Sequence, residues 1–200
     1  MVGVRRIGVL GGTFDPIHYG HLAAAEEARA KLSLQEVIFV VAGIPPHKLG
    51  EEITPAEERY AMVELAIASN PHFSLSRIDI DRPGPSYTVD TIALLRQKRT
   101  EEIYFIMGMD SLMEIDTWRE PQRLIQLCRL VAVERPGFIP DLERLEAAVP
   151  GITARTEIID MPEVEISSTD LQRRVRQGLP IKYQVPPEVE EYIYKHRLYL

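Results

Sequence analysis

RIGVLGGTFDPIHYGHL, residues 6–22, joins a short apolar run to the start of a helix through a double glycine. Arg6–Leu10 reads as a buried strand. Gly11 and Gly12 let the backbone turn tightly and offer N–H groups to a ligand at close range. A helix is predicted over Tyr19–Leu32, and His18 and His21 fall on its first turn. Their i, i+3 spacing lets both imidazoles face one point, and Gly20 removes a Cβ between them. The positive end of the helix points the same way, which suits a polyphosphate. The stretch is neither the G-x-G-x-x-G dinucleotide fingerprint nor a P-loop, since no Gly-Lys-Ser/Thr follows. Histidines so spaced also occur as half of a metal site, or as helix-start residues with no chemical role. No obvious third ligand lies nearby, however, and the strand, double glycine and helix together favour an anion site.

The same alternation runs outward from this segment. Val37–Ala42, Ile103–Met107 and Leu130–Val133 are short apolar runs that read as buried strands. Phe73–Ile80 (FSLSRIDI) alternates partially, and Ile158–Asp160 is a last short strand. Helices are predicted at Pro55–Ala68, Thr88–Arg99 and Pro121–Leu127. Strands alternating with helices predict an α/β fold: a Rossmann-like, doubly wound parallel sheet with helices on both faces, whose ligands lie outside the carboxyl ends of the strands. Residues 1–200 read as a single domain, with a C-terminal helical portion from about residue 168. There ISSTD (166–170) precedes LQRRVRQG, closed by Gly178. Pro186–His196 follows as a terminal helix, acidic early and basic late.

Composition narrows the class. The 200 residues are 45% hydrophobic and 26% charged, with net charge −7. No Lys/Arg-rich block is present, which argues against a sequence-independent nucleic-acid or membrane footprint. No run approaches the roughly 18 apolar residues of a membrane span. MVGVRRIGVLGG has the look of a signal peptide, but its apolar run is too short and passes straight into the glycine turn. Cys128, the single cysteine, reads as a buried strand residue in LCRLVAV and leaves no internal disulfide. The expected setting is the cytoplasm and the expected partners are small molecules. A homo-oligomer stays open.

At these motifs the chain resembles the HxGH nucleotidyltransferase superfamily, and more closely the bacterial nicotinate-nucleotide adenylyltransferases. The likeness spans nearly the whole sequence: GGTFDPIHYGHL (11–22), PPHK (45–48), PSYTVDT (85–91), GMDSL (108–112), Thr117-Trp118, ERPG (134–137) and ISST (166–169). It implies transfer of AMP from ATP to nicotinate mononucleotide, giving nicotinate adenine dinucleotide (deamido-NAD) and pyrophosphate in NAD biosynthesis, with Mg²⁺ accompanying ATP. His18, His21 and Lys48 would be catalytic. ATP would meet Gly11, Gly12, Thr13, His18, His21, Asp110, Ser168, Thr169 and Arg173, with Ser111 beside the nucleotide. His47, Lys48, Thr88 and Trp118 would bind nicotinate mononucleotide, and no dedicated protein metal site is implied. From composition alone Trp118 is equally a core residue; its place after the G-x-D-S turn favours the pocket.

The chain departs from the family pattern at one position. The motif I-S-S-T-x-I-R would put arginine at 172, where Gln172 stands, followed by Arg173 and Arg174. One residue on a helix is a rotation of about 100°, so Arg173 replaces the missing side chain imperfectly. A transferase acting on another phosphate, such as phosphopantetheine, would explain HYGH and ISST but not the PSYT, G-x-D-S and Trp set. A non-catalytic nucleotide-binding module is the alternative of another class, and the intact histidine pair argues against it.

Overall fold

In a computed structural model, which describes residues 5–48, 50–134, 140–162 and 164–200, the apolar runs become one parallel sheet. Its strands are β1 (Arg6–Gly12), β2 (Glu36–Val41), β3 (Phe73–Ser76), β4 (Glu102–Gly108), β5 (Arg129–Glu134) and β6 (Thr156–Asp160), ordered β3-β2-β1-β4-β5-β6 with every ladder parallel. The chain winds outward from β1 to β3, returns, and winds the other way from β4 to β6. The strand order therefore reverses between β1 and β4, and a crevice opens at their carboxyl ends.

Helices cover both faces. They are α1 (Tyr19–Leu32), α2 (Ala56–Ile67), α3 (Thr88–Lys98), α4 (Met109–Met113), α5 (Pro121–Leu127), α6 (Leu142–Ala148), α7 (Ser168–Arg176) and α8 (Pro187–Lys195). Val37, Phe39 and Val41 point to the layer of α1, α2, α7 and α8, while Ile38 and Val40 point to that of α3, α4, α5 and α6. This double burial explains why β2 reads VIFVV without polar interruption. Among the described residues, no helix is long and apolar enough to cross a membrane.

Three local expectations change. β3 stops at Ser76 rather than running to Ile80, because Asp79 turns inward to accept hydrogen bonds from Thr91 Oγ1 (2.7 Å) and Arg82 Nε (2.9 Å). α6, which sequence reading passed over, is capped by the Asp141 carboxylate accepting from the Arg144 N–H at 3.0 Å. Cys128 is buried as expected but closes α5 instead of lying within β5. Burial pushes its thiol up to about 12, so it is unreactive at neutral pH. Arg135, Pro136 and Gly137 of the ERPG stretch lie outside the described residues.

Candidate active site

α1 begins where β1 has ended at the crevice, and its N-cap is His18, in extended backbone at φ −149°. The His18 N–H donates to Nδ1 of His21 at 3.3 Å, so the second histidine satisfies a free amide of the helix start. The two rings stack with centroids 3.7 Å apart. Gly20 makes this possible: a Cβ there would stand 3.0 Å from the His18 ring. Gly12 plays the same part for Phe14, whose ring would meet a Cβ at 2.9 Å and which packs edge-on to His21 at 5.1 Å.

The environment of the pair decides its charge state. Burial lowers the His18 pKa to about 4, and burial together with the neighbouring His18 holds His21 well below its ordinary value. Two stacked imidazoliums in a half-dry crevice would repel each other, so the pair stands neutral near pH 7. His18 Nδ1 is buried without a protein hydrogen-bond partner among the described residues, leaving a polar atom unspent at the site. A stability consequence follows. His18, only 6% exposed, binds its proton more readily when the chain is unfolded. Its contribution is therefore complete above about pH 6.5 and is lost as pH falls towards 4, amounting to about 3 kcal/mol. Thermal melts between pH 7.5 and 4.5 should show the Tm falling on acidification. A His18→Asn variant should flatten that slope; an unchanged slope would contradict the assignment.

Distant parts of the chain hold this turn in place. Arg59 of α2, 1% exposed, donates to the carbonyls of Thr54, Thr13, Ala42 and Gly43, at 2.8, 2.8, 2.8 and 3.2 Å. It thereby pins the segments that follow β1 and β2. Asp15 accepts from the Thr54 N–H (3.2 Å) and from the Tyr199 hydroxyl (2.6 Å). Ser168 Oγ donates to the Pro16 carbonyl at 2.9 Å and the Gln172 amide to the Asp15 carbonyl at 2.7 Å. Gln172 is thus a tie between α7 and the turn before the histidines, and its Oε1 accepts from Arg176 at 3.2 Å.

Three hollows line the crevice. The first, about 350 Å³, is walled by His18, Gly20, His21, Gly108, Ser167 and Ser168, with Met161, Pro162, Val164 and Ile166 as an apolar side. The second, about 300 Å³, reaches from Gly11, Gly12, Thr13 and His21 to His47, Thr88, Ser111 and Trp118. The third, about 510 Å³, opens outward past His47, Tyr87, Thr88, Ser111, Trp118 and Arg119. His21 and Gly108 belong to the first and second, Thr88 and Trp118 to the second and third, so the three form one continuous groove.

Most residues picked from sequence converge on this groove; Lys48, Asp110, Thr169, Arg173 and Arg174 do not line it. Lys48 lies in a short 3₁₀ turn with its ammonium 3.9 Å from Glu51. Asp110 is exposed on the first turn of α4. Thr169 is exposed beside Ser168. Arg173 is ion-paired with Asp170, and Arg174 donates to the Pro180 carbonyl. Sequence reading missed Arg59, Ser86, Tyr87 and Arg119. The PSYT stretch held a signal for two of them: the Ser86 N–H donates to the Ile44 carbonyl at 2.8 Å and its hydroxyl accepts from the Ile44 N–H at 3.3 Å, binding the groove's two walls together.

Comparisons with known proteins bear on the family and the fold. Residues 9–174 match the family model described as cytidylyltransferase-like. A protein of Thermomicrobium roseum, described as a probable nicotinate-nucleotide adenylyltransferase, is 48% identical over 98% of this chain and 92% of its own length. One of Roseiflexus sp., with the same description, is 51% identical over 96% and 97%. The solved structure of Plasmodium falciparum nicotinic acid mononucleotide adenylyltransferase complexed with NaAD superposes with a TM-score of 0.80 at 22% identity, covering 98% of this chain and 97% of that one, a likeness of fold. Sequence, sheet order and groove converge: the chain belongs to the nicotinate-nucleotide adenylyltransferase family.

Proposed function

We propose that this enzyme transfers AMP from ATP to nicotinate mononucleotide, releasing nicotinate adenine dinucleotide and pyrophosphate. The observation that carries the reading is the continuity of the groove. The hollow holding the histidine pair and the hollow framed by Trp118 and Thr88 meet at His21 and Gly108, at the carboxyl ends of β1 and β4. Two nucleotides laid end to end would place their phosphates there. The nicotinate phosphate is already anionic and attacks the α-phosphorus of ATP in line, expelling pyrophosphate. The chain's task is to align two polyanions and to stabilise charge growing on the leaving group.

His18 and His21 enter this step as neutral donors rather than as preformed cations, and a triphosphate brought against them favours their protonated forms. Gly11, Gly12 and Thr13 offer backbone to the nucleotide, and Ser168 and Thr169 open α7, whose N-terminal amides suit the β- and γ-phosphates. Ser111 faces the nucleotide from the start of α4, while Asp110, exposed on the same turn, stays outside the groove. Lys48 and Arg173 reach the phosphates only by leaving their partners Glu51 and Asp170, both exposed pairs of small worth. His47, Thr88 and Trp118 frame the pyridine nucleotide. ATP is taken as its Mg²⁺ complex, with the metal held mainly by phosphate oxygens and water. α7 and α8 are the C-terminal portion of the same domain, and we place the reaction in the cytoplasm.

The direct test is incubation with MgATP and each candidate acceptor while pyrophosphate is followed. Release with nicotinate mononucleotide and none with phosphopantetheine is expected; the reverse pattern would sink the reading. Trp118→Ala should raise KM for the pyridine nucleotide roughly tenfold, the loss of about 1.4 kcal/mol of ring contact, and leave KM for ATP nearly unchanged. Equal changes for both substrates would contradict ring stacking.

A further inference from the structure

We propose that Arg119 is the specificity-determining residue for the acceptor, its guanidinium drawing in the negatively charged ring substituent of an acid-form pyridine mononucleotide. This role presupposes the nicotinate mononucleotide reading above and adds a discriminating group to it. Arg119 directly follows Trp118 and lines the outer hollow with it. Its Cζ stands 4.7 Å from the centroid of the Tyr87 ring, so the guanidinium is laid on an aromatic face and held there. Tyr87 and Thr88 come from the opposite wall, at the start of α3. The arginine therefore bridges the mouth of the chamber that Trp118 and Thr88 frame.

Charge bookkeeping makes the assignment specific. Among the described residues lining this hollow, Arg119 is the one permanent cation and Glu114 the one carboxylate. Without Arg119 the chamber would present only Glu114 and repel an acid. With it, a carboxylate on the ring meets a planar donor fork suited to it, while a neutral amide gains far less. The standing partner of Arg119 is Glu120, at 3.5 Å between half-exposed side chains. Such a pair is weak, and a ligand carboxylate can displace it. The backbone is fixed on both sides: the Trp118 N–H donates to the Ile115 carbonyl at 3.0 Å, and Glu120, at φ 49°, turns directly into Pro121 at the head of α5.

The experiment compares kcat/KM for nicotinate and nicotinamide mononucleotides in the full-length enzyme, R119Q and R119K, at saturating MgATP. Because the side chain is 51% exposed, both variants should fold, and matching melting curves would verify it. In R119Q the acid-to-amide ratio should fall at least tenfold, the scale of one charge-assisted hydrogen bond. The loss should sit mainly in KM for the acid, with the amide unaffected and R119K intermediate. An unchanged ratio, or parallel losses on both mononucleotides as a phosphate contact would give, overturns the assignment. Turnover of nicotinate mononucleotide by the unsubstituted enzyme tests the function separately; its absence would bring down that reading and the role of Arg119 with it.

Discussion

Replacing His18 or His21 with alanine is expected to lower kcat by roughly 10²–10³, the cost of removing one preorganised donor from a developing anion. The structure gives this more content than a motif does. The rings stack at 3.7 Å, and the His18 N–H is itself tied to His21 Nδ1. Losing either ring therefore removes one of the donors proposed to meet the phosphates and also frees the other to move. The two substitutions should be far from additive: the double variant should lie close to the worse single one, as for groups acting as a unit. Steady-state kinetics on variants with normal melting curves measures this. A near-normal kcat in both single variants would remove the pair from the catalytic step.

The largest stability effect is expected at Arg59. Arg59→Met keeps the apolar stem but strands the carbonyls of Thr13, Ala42, Gly43 and Thr54, all of which accept from this one guanidinium. Burial already lowers the arginine's pKa, countered by Asp15 and the Tyr199 hydroxyl. Removing the cation also removes a positive charge that interacts with Asp15. The loss should be about 3–5 kcal/mol, a Tm drop of roughly 10 °C or more for a chain of this size. A Tm within about 2 °C of the unsubstituted protein would show that water replaces the guanidinium at no cost.

Arg59 also marks the boundary of what the sequence discloses. In AEERYAMVEL it looks like any exposed arginine on a helix, because the carbonyls that claim it come from segments up to 46 residues away. The sheet, by contrast, was legible. β1, β2, β4 and β5 lie within one or two residues of their predicted spans, since strands covered on both faces must be continuously apolar. The edge strand β3 was overextended: the apolar Ile78 and Ile80 follow the strand pattern, but a single inward carboxylate, Asp79, bends the backbone out of it. The histidine pair was legible as a constellation and not as a charge state, because neutrality comes from burial that no spacing reveals. Trp118 and Thr88 were found by resemblance; of their immediate neighbours, Tyr87 stood in the PSYT stretch without being singled out, and Arg119 was passed over because a lone arginine carries no local pattern.

The turn at Asp15 and Pro16 is secured by Ser168, Gln172 and Tyr199, which lie 152, 157 and 184 residues further along the chain. The candidate site is thus assembled from segments 152 to 184 residues apart in sequence, and loop closure over such distances is slow relative to local helix formation. During synthesis the sheet from β1 to β6 can gather while the histidines still lack their bracing. Bracing of the histidine turn would then arrive late in folding, when α7 and the segment around Tyr199 dock, and a chain whose α7 has not yet docked would own the motif without owning the site.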